Sequence, residues 1–169
     1  MTAGKRRTAR EMAVQMLYQC DIGGSPLPNV FNTFDLAEYL AGGRRTGAAA
    51  AVRRGGDRAE HGRLKRRVEE SFLYAQALVR GTVDHREEID EMIRGQADNW
   101  RLERMPAVDR NILRLAIYEM LYERDTPKLV VVDEAIELAK KFGSEQSGRF
   151  VNGLLDGLLK QHSFPGTMT

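Results

Sequence analysis

Apolar residues recur along most of the chain at intervals of three and four, which is the spacing of one face of an α-helix. Between residues 3 and 20 this stripe consists of Ala9, Ala13, Met16, Leu17 and Cys20. Similar stripes predict further helices over about 30–40, 63–83, 84–94, 106–121, 127–142 and 147–158. No segment alternates at period two, so no sheet is predicted. We therefore predict an all-α protein of about seven helices, forming a compact bundle of two packed helical subdomains.

Residues 42–62 interrupt this pattern. They combine paired glycines, a run of four alanines and several arginines, and large apolar side chains are nearly absent. Such a stretch buries too little surface to offset the entropy lost on ordering. We predict one domain over 1–169, with a flexible Gly/Ala/Arg-rich insertion at 42–62 and a loose tail at 161–169. The insertion is either a solvated loop or an electrostatic arm that adds nonspecific phosphate contacts.

The distribution of charge says more than its total. Lys and Arg number 26 and Asp and Glu 24, so the net charge is only +2. Between residues 42 and 67, however, nine cations oppose two acids, and the first ten residues carry four cations and no acid. Concentrated positive charge of this kind attracts anionic partners such as nucleic acid.

Several classes of protein are disfavoured by the composition. The single cysteine, Cys20, cannot form an intrachain disulfide, and we expect a cytoplasmic protein. No apolar stretch follows the basic start as in a secretory signal, and no run approaches the roughly 18 apolar residues of a membrane span. We therefore expect no membrane association.

Catalytic and metal-binding patterns are also missing from the sequence. The three histidines are far apart in sequence: His61, His85 and His162. Glu134 and Glu137 have the i, i+3 spacing of a carboxylate metal site, but no Glu-x-x-His pair accompanies them. The paired glycines lack the strand-to-helix context of a phosphate-binding loop. We predict a non-enzymatic protein with no metal and no cofactor.

The first predicted helix carries the most informative polar residues. Arg7, Glu11 and Tyr18 share one helical face, away from the apolar stripe, and Arg6 and Arg10 lie on an adjacent face. A guanidinium group offers two parallel donors to a phosphate, and a tyrosine ring is a stacking platform for an unpaired base. Single-stranded RNA recognition uses this combination. The alternative is a solvated charged helix end, with Tyr18 at the rim of the core.

Four blocks of the sequence, in this order, resemble the NusB family. They are RRTARE at 6–11, VDRNILRLAIYE at 108–119, VVDEAIELAKKFG at 131–143 and FVNGLLD at 150–156. The similarity covers residues 5–40 loosely and 63–160 well. The insertion at 42–62 departs from the family pattern, since typical members have a compact connection there.

The resemblance implies a transcription antitermination factor. Proteins of this family pair with ribosomal protein S10 (NusE), bind the boxA element of nascent ribosomal RNA transcripts and help RNA polymerase read through terminators. The implied RNA-binding residues are Lys5, Arg6, Arg7, Arg10, Tyr18, Phe142, Gln146 and Phe150. The implied S10-binding residues are Glu103, Arg104 and Asp109. Family members often have an acid where this chain has Gln146, and a neutral amide repels phosphate less.

Other interpretations of these residues stay open. Phe142 and Phe150 also have the spacing of core residues, and Asp109 is suited to the first turn of a helix, where a negative charge is favourable. The chain could instead be an accessory domain of a ribosomal RNA cytosine methyltransferase system. It could also be a protein-interaction bundle, including a homodimer formed through the surface that would otherwise meet RNA.

Overall fold

The computed structural model describes residues 2–45, 58–97 and 101–169. Its α-helices are α1 (Ala3–Gly23), α2 (Leu27–Thr33), α3 (Ala37–Arg45), α4 (Arg58–Asp84), α5 (Arg86–Gln96), α6 (Ala107–Tyr122), α7 (Lys128–Phe142) and α8 (Ser147–Gln161). A 3-10 helix at Leu102–Arg104 precedes α6. The described residues contain no strand, which confirms the predicted all-α fold. None of the described helices has both the length and the hydrophobicity needed to cross a bilayer.

The second predicted helix is two helices in the structure. The backbone of Phe34 is extended at the end of α2, and the carboxylate of Asp35 accepts a hydrogen bond of 2.8 Å from the N–H of Ala37 at the start of α3. An aspartate that bonds to a backbone N–H two residues later competes with a continuous helix. This local competition explains why one apolar stripe gave two elements.

The insertion and the tail are more ordered at their edges than predicted. Residues 42–45 belong to α3 and residues 58–62 to α4, so both edges of the predicted loop are helical, while residues 46–57 lie outside the described residues. In the tail, the carbonyls of Thr167 and Met168 accept hydrogen bonds of 3.0 and 2.9 Å from the N–H groups of Lys128 and Leu129. These bonds satisfy two of the N–H groups that the start of α7 leaves unpaired. The tail predicted as loose at 161–169 is thus attached to the start of α7 by backbone hydrogen bonds at Thr167 and Met168.

Helix α6 is the centre of the bundle. It contacts α1, α4, α5, α7 and α8, and it is buried on nearly all faces. Its buried apolar side chains are Ile112, Leu113, Leu115, Ala116, Ile117 and Met120. It also buries charged and polar side chains, namely Asp109, Arg110, Asn111, Arg114 and Glu119. Buried charges require partners, so α6 fixes the positions of polar residues on the helices around it.

Candidate nucleic-acid interface

The apolar stripe predicted on α1 holds this helix against α4 and α6. Ala9, Ala13 and Met16 are fully buried, and Leu17 nearly so, whereas Cys20 is only half-buried. Burial of this stripe turns the opposite face of α1 towards solvent. Arg7 and Tyr18 lie on that face and are exposed.

Arg7 joins α1 to α7 through a two-point ion pair. Its Nε and Nη2 donate to the two carboxylate oxygens of Glu134 at 3.0 and 2.6 Å. The hydrogen bond and charge of Arg7 hold the pKa of Glu134 below its usual range, and Glu134 in turn raises the pKa of Arg7. The Arg7 side chain remains 56% exposed, so its guanidinium is oriented by Glu134 and also open to solvent.

Arg10, only three residues further along α1, is buried. Its side chain is 4% exposed, and its Nε lies 3.0 Å from both carboxylate oxygens of Glu119 on α6. Burial raises the pKa of Glu119, and the charge and hydrogen bond of Arg10 oppose that shift. Arg10, which the resemblance implies as an RNA contact, therefore has its guanidinium directed towards the interior in this conformation.

Arg10 and Arg7 meet at the same carboxylate. The Nη1 atom of Arg10 lies 3.9 Å from Glu134, the acid that Arg7 holds in a two-point pair. The Nη2 atom of Arg10 is buried and has no hydrogen-bond partner among the described residues. Arg10 thus lies beneath the exposed Arg7 guanidinium. It approaches Glu134, the partner of Arg7, and is itself bonded to Glu119 on α6.

Tyr18 occupies a different part of the α1 surface. Its side chain is exposed, and it borders a surface cavity of about 380 Å³ between α1 and α2, which Ile22, Asn29 and Val30 also line. Tyr18 thus lies at the edge of the core, beside the buried Val30, with its ring partly open to solvent. The ring is available to stack on a planar group from solvent.

Phe142 lies in a groove next to α1. It is half-buried at the end of α7 and lines a groove of about 590 Å³ together with Thr8 and Glu11 of α1 and Arg67 of α4. The Nζ of Lys141 lies 5.5 Å from the Phe142 ring centroid and donates a 2.7 Å hydrogen bond to Glu11. This pair joins α7 to α1, whereas Glu137, one turn before Lys141, accepts a 3.0 Å hydrogen bond from Lys140 on the same helix.

Gln146 and Phe150 lie at the turn into α8, beside Asp109 of α6. The three residues line one mainly apolar cavity of about 360 Å³, with Pro106 and Arg149. Gln146 is exposed and Phe150 half-buried. Asp109 is 4% exposed, and its Oδ1 is buried without a hydrogen-bond partner among the described residues. The structure thus places Asp109 next to predicted RNA-binding residues.

The remaining predicted residues are spread over two other regions. Lys5 pairs with Glu70 of α4, and the half-buried Arg6 has no carboxylate within 4 Å among the described residues. Glu103 and Arg104 are exposed on the 3-10 helix, where Glu103 lies 3.5 Å from Arg94 of α5.

Two acids that organise this surface escaped the sequence analysis. Glu119 and Glu134 are separated from their arginine partners by 109 and 127 residues, and the spacing of residues along one helix carries no information about such contacts. From sequence alone, the spacing of Glu134 and Glu137 indicates only a possible carboxylate metal site. No group of three metal-ligating side chains occurs among the described residues.

Comparison with known proteins identifies the family. The NusB family model matches residues 7–160 of this chain. The chain belongs to the NusB family. It is 41% identical over 155 residues to transcription antitermination protein NusB of Trichlorobacter lovleyi, covering 92% of this chain and 90% of that protein. It is 42% identical over 156 residues to the Bacillus cereus protein of the same name, covering 91% and 96%.

Solved structures of NusB proteins have the same fold. The structure of T. maritima NusB superposes with a TM-score of 0.62 at 32% identity and covers 96% of this chain and 94% of its own. A complex of antitermination factors NusB and NusE with dsRNA gives a TM-score of 0.62 at 27% identity, with 95% and 100% covered. The relatives are transcription antitermination proteins, a non-catalytic family, which agrees with the predicted absence of enzymatic activity.

Proposed function

We propose that this protein is a transcription antitermination factor that binds the boxA element of nascent ribosomal RNA transcripts together with ribosomal protein S10 (NusE), in an RNA polymerase antitermination complex. The observation that carries the proposal is the solvent face of α1, on which an oriented guanidinium and an open tyrosine ring lie together. A solved complex of a related NusB with NusE and dsRNA supports it.

The proposed RNA surface combines phosphate and base contacts. Its members are Lys5, Arg6, Arg7, Tyr18, Phe142, Gln146 and Phe150. Arg7 and Tyr18 are eleven residues apart, which corresponds to about 16 Å along a helix, so different nucleotides would meet the two side chains. Arg7 would bind a phosphate through its fork of donors, and Tyr18 would stack on an unpaired base.

Arg10 takes a different role from the one implied by the family resemblance. Buried against Glu119 and close to Glu134, it would position the Arg7–Glu134 pair from below and not touch RNA. A positioning residue of this kind should matter for folding more than for RNA affinity measured on folded protein.

The S10 surface is proposed at Glu103, Arg104 and Asp109. Glu103 and Arg104 are exposed at the turn before α6, and their charges can steer a partner. Asp109 is recessed in the cavity that it shares with Gln146 and Phe150, so it would contribute only if a partner reaches into that cavity. Through Asp109, the proposed S10 surface would adjoin the proposed RNA surface at Gln146 and Phe150.

Tyr18→Ala tests the RNA proposal, with Tyr122→Ala as a matched control. Both tyrosines are 41% exposed, but Tyr122 lies on α6, where its hydroxyl bonds to Glu88. Fluorescence anisotropy with a boxA oligonucleotide, a scrambled oligonucleotide and S10 would give the affinities. We expect Tyr18→Ala to lose about 1–3 kcal/mol of binding, the range for one base–aromatic stack, and Tyr122→Ala to lose nothing.

Two results would count against the proposal. Equal losses for the two tyrosine variants would remove Tyr18 from the RNA surface. Equal affinity for boxA and scrambled RNA would reduce the interaction to charge alone. A homodimer through the α1 face is a separate prediction, and light scattering with and without RNA would test it.

A further inference from the structure

Helix α4 extends past the beginning of α1. The two helices run parallel, since Gly4 lies against Arg67 at one end while Leu17 and Cys20 share a small cavity with Thr82 and Val83 at the other. Residues 58–66 therefore precede the level of Gly4. Nine residues of helix correspond to about 13 Å, so α4 projects by that length beyond the start of its neighbour.

The projecting part of α4 is strongly basic and open to solvent. It carries the basic start of α4, defined here as Arg58, Arg63, Lys65, Arg66 and Arg67, all exposed. Glu60 is the only acid within residues 58–68. Cations near the positive end of a helix are locally unfavourable, so an anion bound there would relieve the repulsion.

Most of these cations lack the acidic partners that Lys5 and Arg7 have on α1. Lys5 is paired with Glu70 and Arg7 with Glu134. Within the described ranges, by contrast, four of the five cations at the start of α4 have no carboxylate within 4 Å, and Lys65 lies 3.8 Å from Glu69. The charge of those four is therefore available to a partner without the loss of an internal ion pair.

The basic start of α4 is continuous with the proposed RNA surface. A Cβ at Gly4 would come within 2.7 Å of Nη2 of Arg67, so this guanidinium lies directly against the first turn of α1. Arg67 also lines the groove that contains Lys141 and Phe142. Arg63 and Arg67 are one turn apart on the same side of α4. A strand lying in the groove could thus pass from Phe142 to Arg67 and then along the projecting helix.

We propose that the basic start of α4 is a second RNA-binding segment, which holds the phosphates of unpaired RNA flanking the element recognised by α1. The inference rests on the proposed RNA-binding function and extends it. Residues 58–67 contain no phenylalanine, tyrosine or tryptophan, so this segment would bind backbone without stacking on bases. The contact would therefore be independent of sequence and sensitive to salt.

The test compares two RNAs and two triple variants. One RNA is the boxA element alone, and the other carries unpaired flanks of arbitrary sequence on both sides. The first variant is Arg58→Gln/Arg63→Gln/Arg66→Gln. The charge-matched control is Arg80→Gln/Arg124→Gln/Lys160→Gln, whose three cations are exposed elsewhere. Glutamine keeps a high helix propensity, and circular dichroism would verify the helix content.

Affinities measured over a range of salt concentrations separate the outcomes. For the unmodified protein we expect tighter binding and a steeper salt dependence with the flanked RNA. The first variant should lose this gain, with a log–log slope about 2 lower for three phosphate contacts at roughly 0.7 each. Its affinity for the element alone should match that of the control.

Three results would overturn the inference. The flanks could give no gain with the unmodified protein, or the two triple variants could lose the gain equally. The first variant could also keep the gain in affinity for the flanked RNA but lose binding to poly-glutamate. That result would indicate that the basic start of α4 binds an acidic protein and not RNA. If the unmodified protein binds neither RNA, the proposed function itself fails, which is a distinguishable result.

Discussion

Arg7 and Arg10 are three residues apart on one helix and both pair with carboxylates, but their surroundings differ. The side chain of Arg7 is 56% exposed and that of Arg10 is 4% exposed. A surface ion pair contributes little to stability, and its guanidinium can still bind an external anion. A buried pair is costly to break, because loss of one partner leaves an uncompensated charge in the interior. The depth of the carboxylate, and not the type of residue, therefore separates the structural arginine from the one that is open to an external anion.

The opposite end of α1 shows the same contrast between a buried and an exposed arginine. Asp21 accepts hydrogen bonds from Arg110 and Arg114 of α6, and Asp90 of α5 receives two more from Arg114 at 2.7 and 2.9 Å. Arg86 reaches the same two acids from solvent, at 3.5 and 3.6 Å, with its side chain 50% exposed. Buried pairs thus attach α6 to α1 at both ends, and an exposed cation accompanies each of them.

The largest expected effect is that of Arg114→Met. This change leaves Asp90 and Asp21 with reduced compensation in the interior, and we expect the free energy of unfolding to fall by about 3–5 kcal/mol. Urea denaturation would measure it. Arg86→Met is the matched control, since it removes an exposed cation near the same carboxylates and should change stability by at most about 1 kcal/mol. Equal losses would mean that burial does not separate the two arginines.

Arg10→Met should act mainly on stability, and Arg7→Met mainly on RNA binding. We expect Arg10→Met to lower the free energy of unfolding by about 3 kcal/mol, because Glu119 is left buried without its partner. Arg7→Met should lower it by less than about 1 kcal/mol but weaken RNA binding by about 1.5–3 kcal/mol, the range for a charged hydrogen bond. Denaturation curves and anisotropy titrations would measure the two quantities. A direct RNA role for Arg10 would be indicated if its variant stays stable but binds RNA poorly.

The helices could be predicted from the sequence because apolar residues mark a helix face locally. The same reasoning failed where a distant contact decides the structure. Nothing near Arg10 in sequence indicates Glu119, and nothing near Thr167 indicates the N–H groups at the start of α7. Tyr18 was predicted correctly as exposed, because its face of α1 follows from the buried stripe. The role of a polar residue depends on its partner across the fold, so it could not be assigned from one helix.

Asp21→Asn tests how much the buried Asp21 carboxylate contributes to the free energy of unfolding, because that contribution depends on pH. Burial alone would raise the pKa of Asp21, but the hydrogen bonds and charges of Arg110, Asn111 and Arg114 lower it below its usual range. A lowered carboxyl pKa stabilises the fold above the unfolded value of about 3.9, and this contribution is lost as the pH falls through the folded pKa.

We therefore expect Asp21→Asn to cost about 2 kcal/mol at pH 7, the scale of a hydrogen bond to a charged group. The difference from the unmodified protein should shrink below about pH 4, as Asp21 itself becomes protonated. Urea denaturation between pH 7 and pH 3 would show it. Asp156→Asn is the control. The Asp156 side chain, which pairs with Lys160, is 55% exposed, so this pair should contribute little to stability at any pH. A difference that is constant with pH would contradict the role of the Asp21 charge.

The smallest expected effect concerns the acid shared by Arg7 and Arg10. Glu134→Gln removes a carboxylate that competes with RNA phosphate for the Arg7 guanidinium. Two unit charges about 4 Å apart in water interact by about 1 kcal/mol. Removing the repulsion between Glu134 and an RNA phosphate should therefore tighten RNA binding by about 5-fold. Glu137→Gln, one turn further along α7 and paired with Lys140, removes the same charge from an exposed position. Anisotropy titrations should show a clear gain for Glu134→Gln and a smaller one for Glu137→Gln. If Glu134→Gln instead weakens binding, the carboxylate acts mainly by orienting Arg7. The exposed Arg7 would then depend on Glu134 as strongly as the buried Arg10 depends on Glu119.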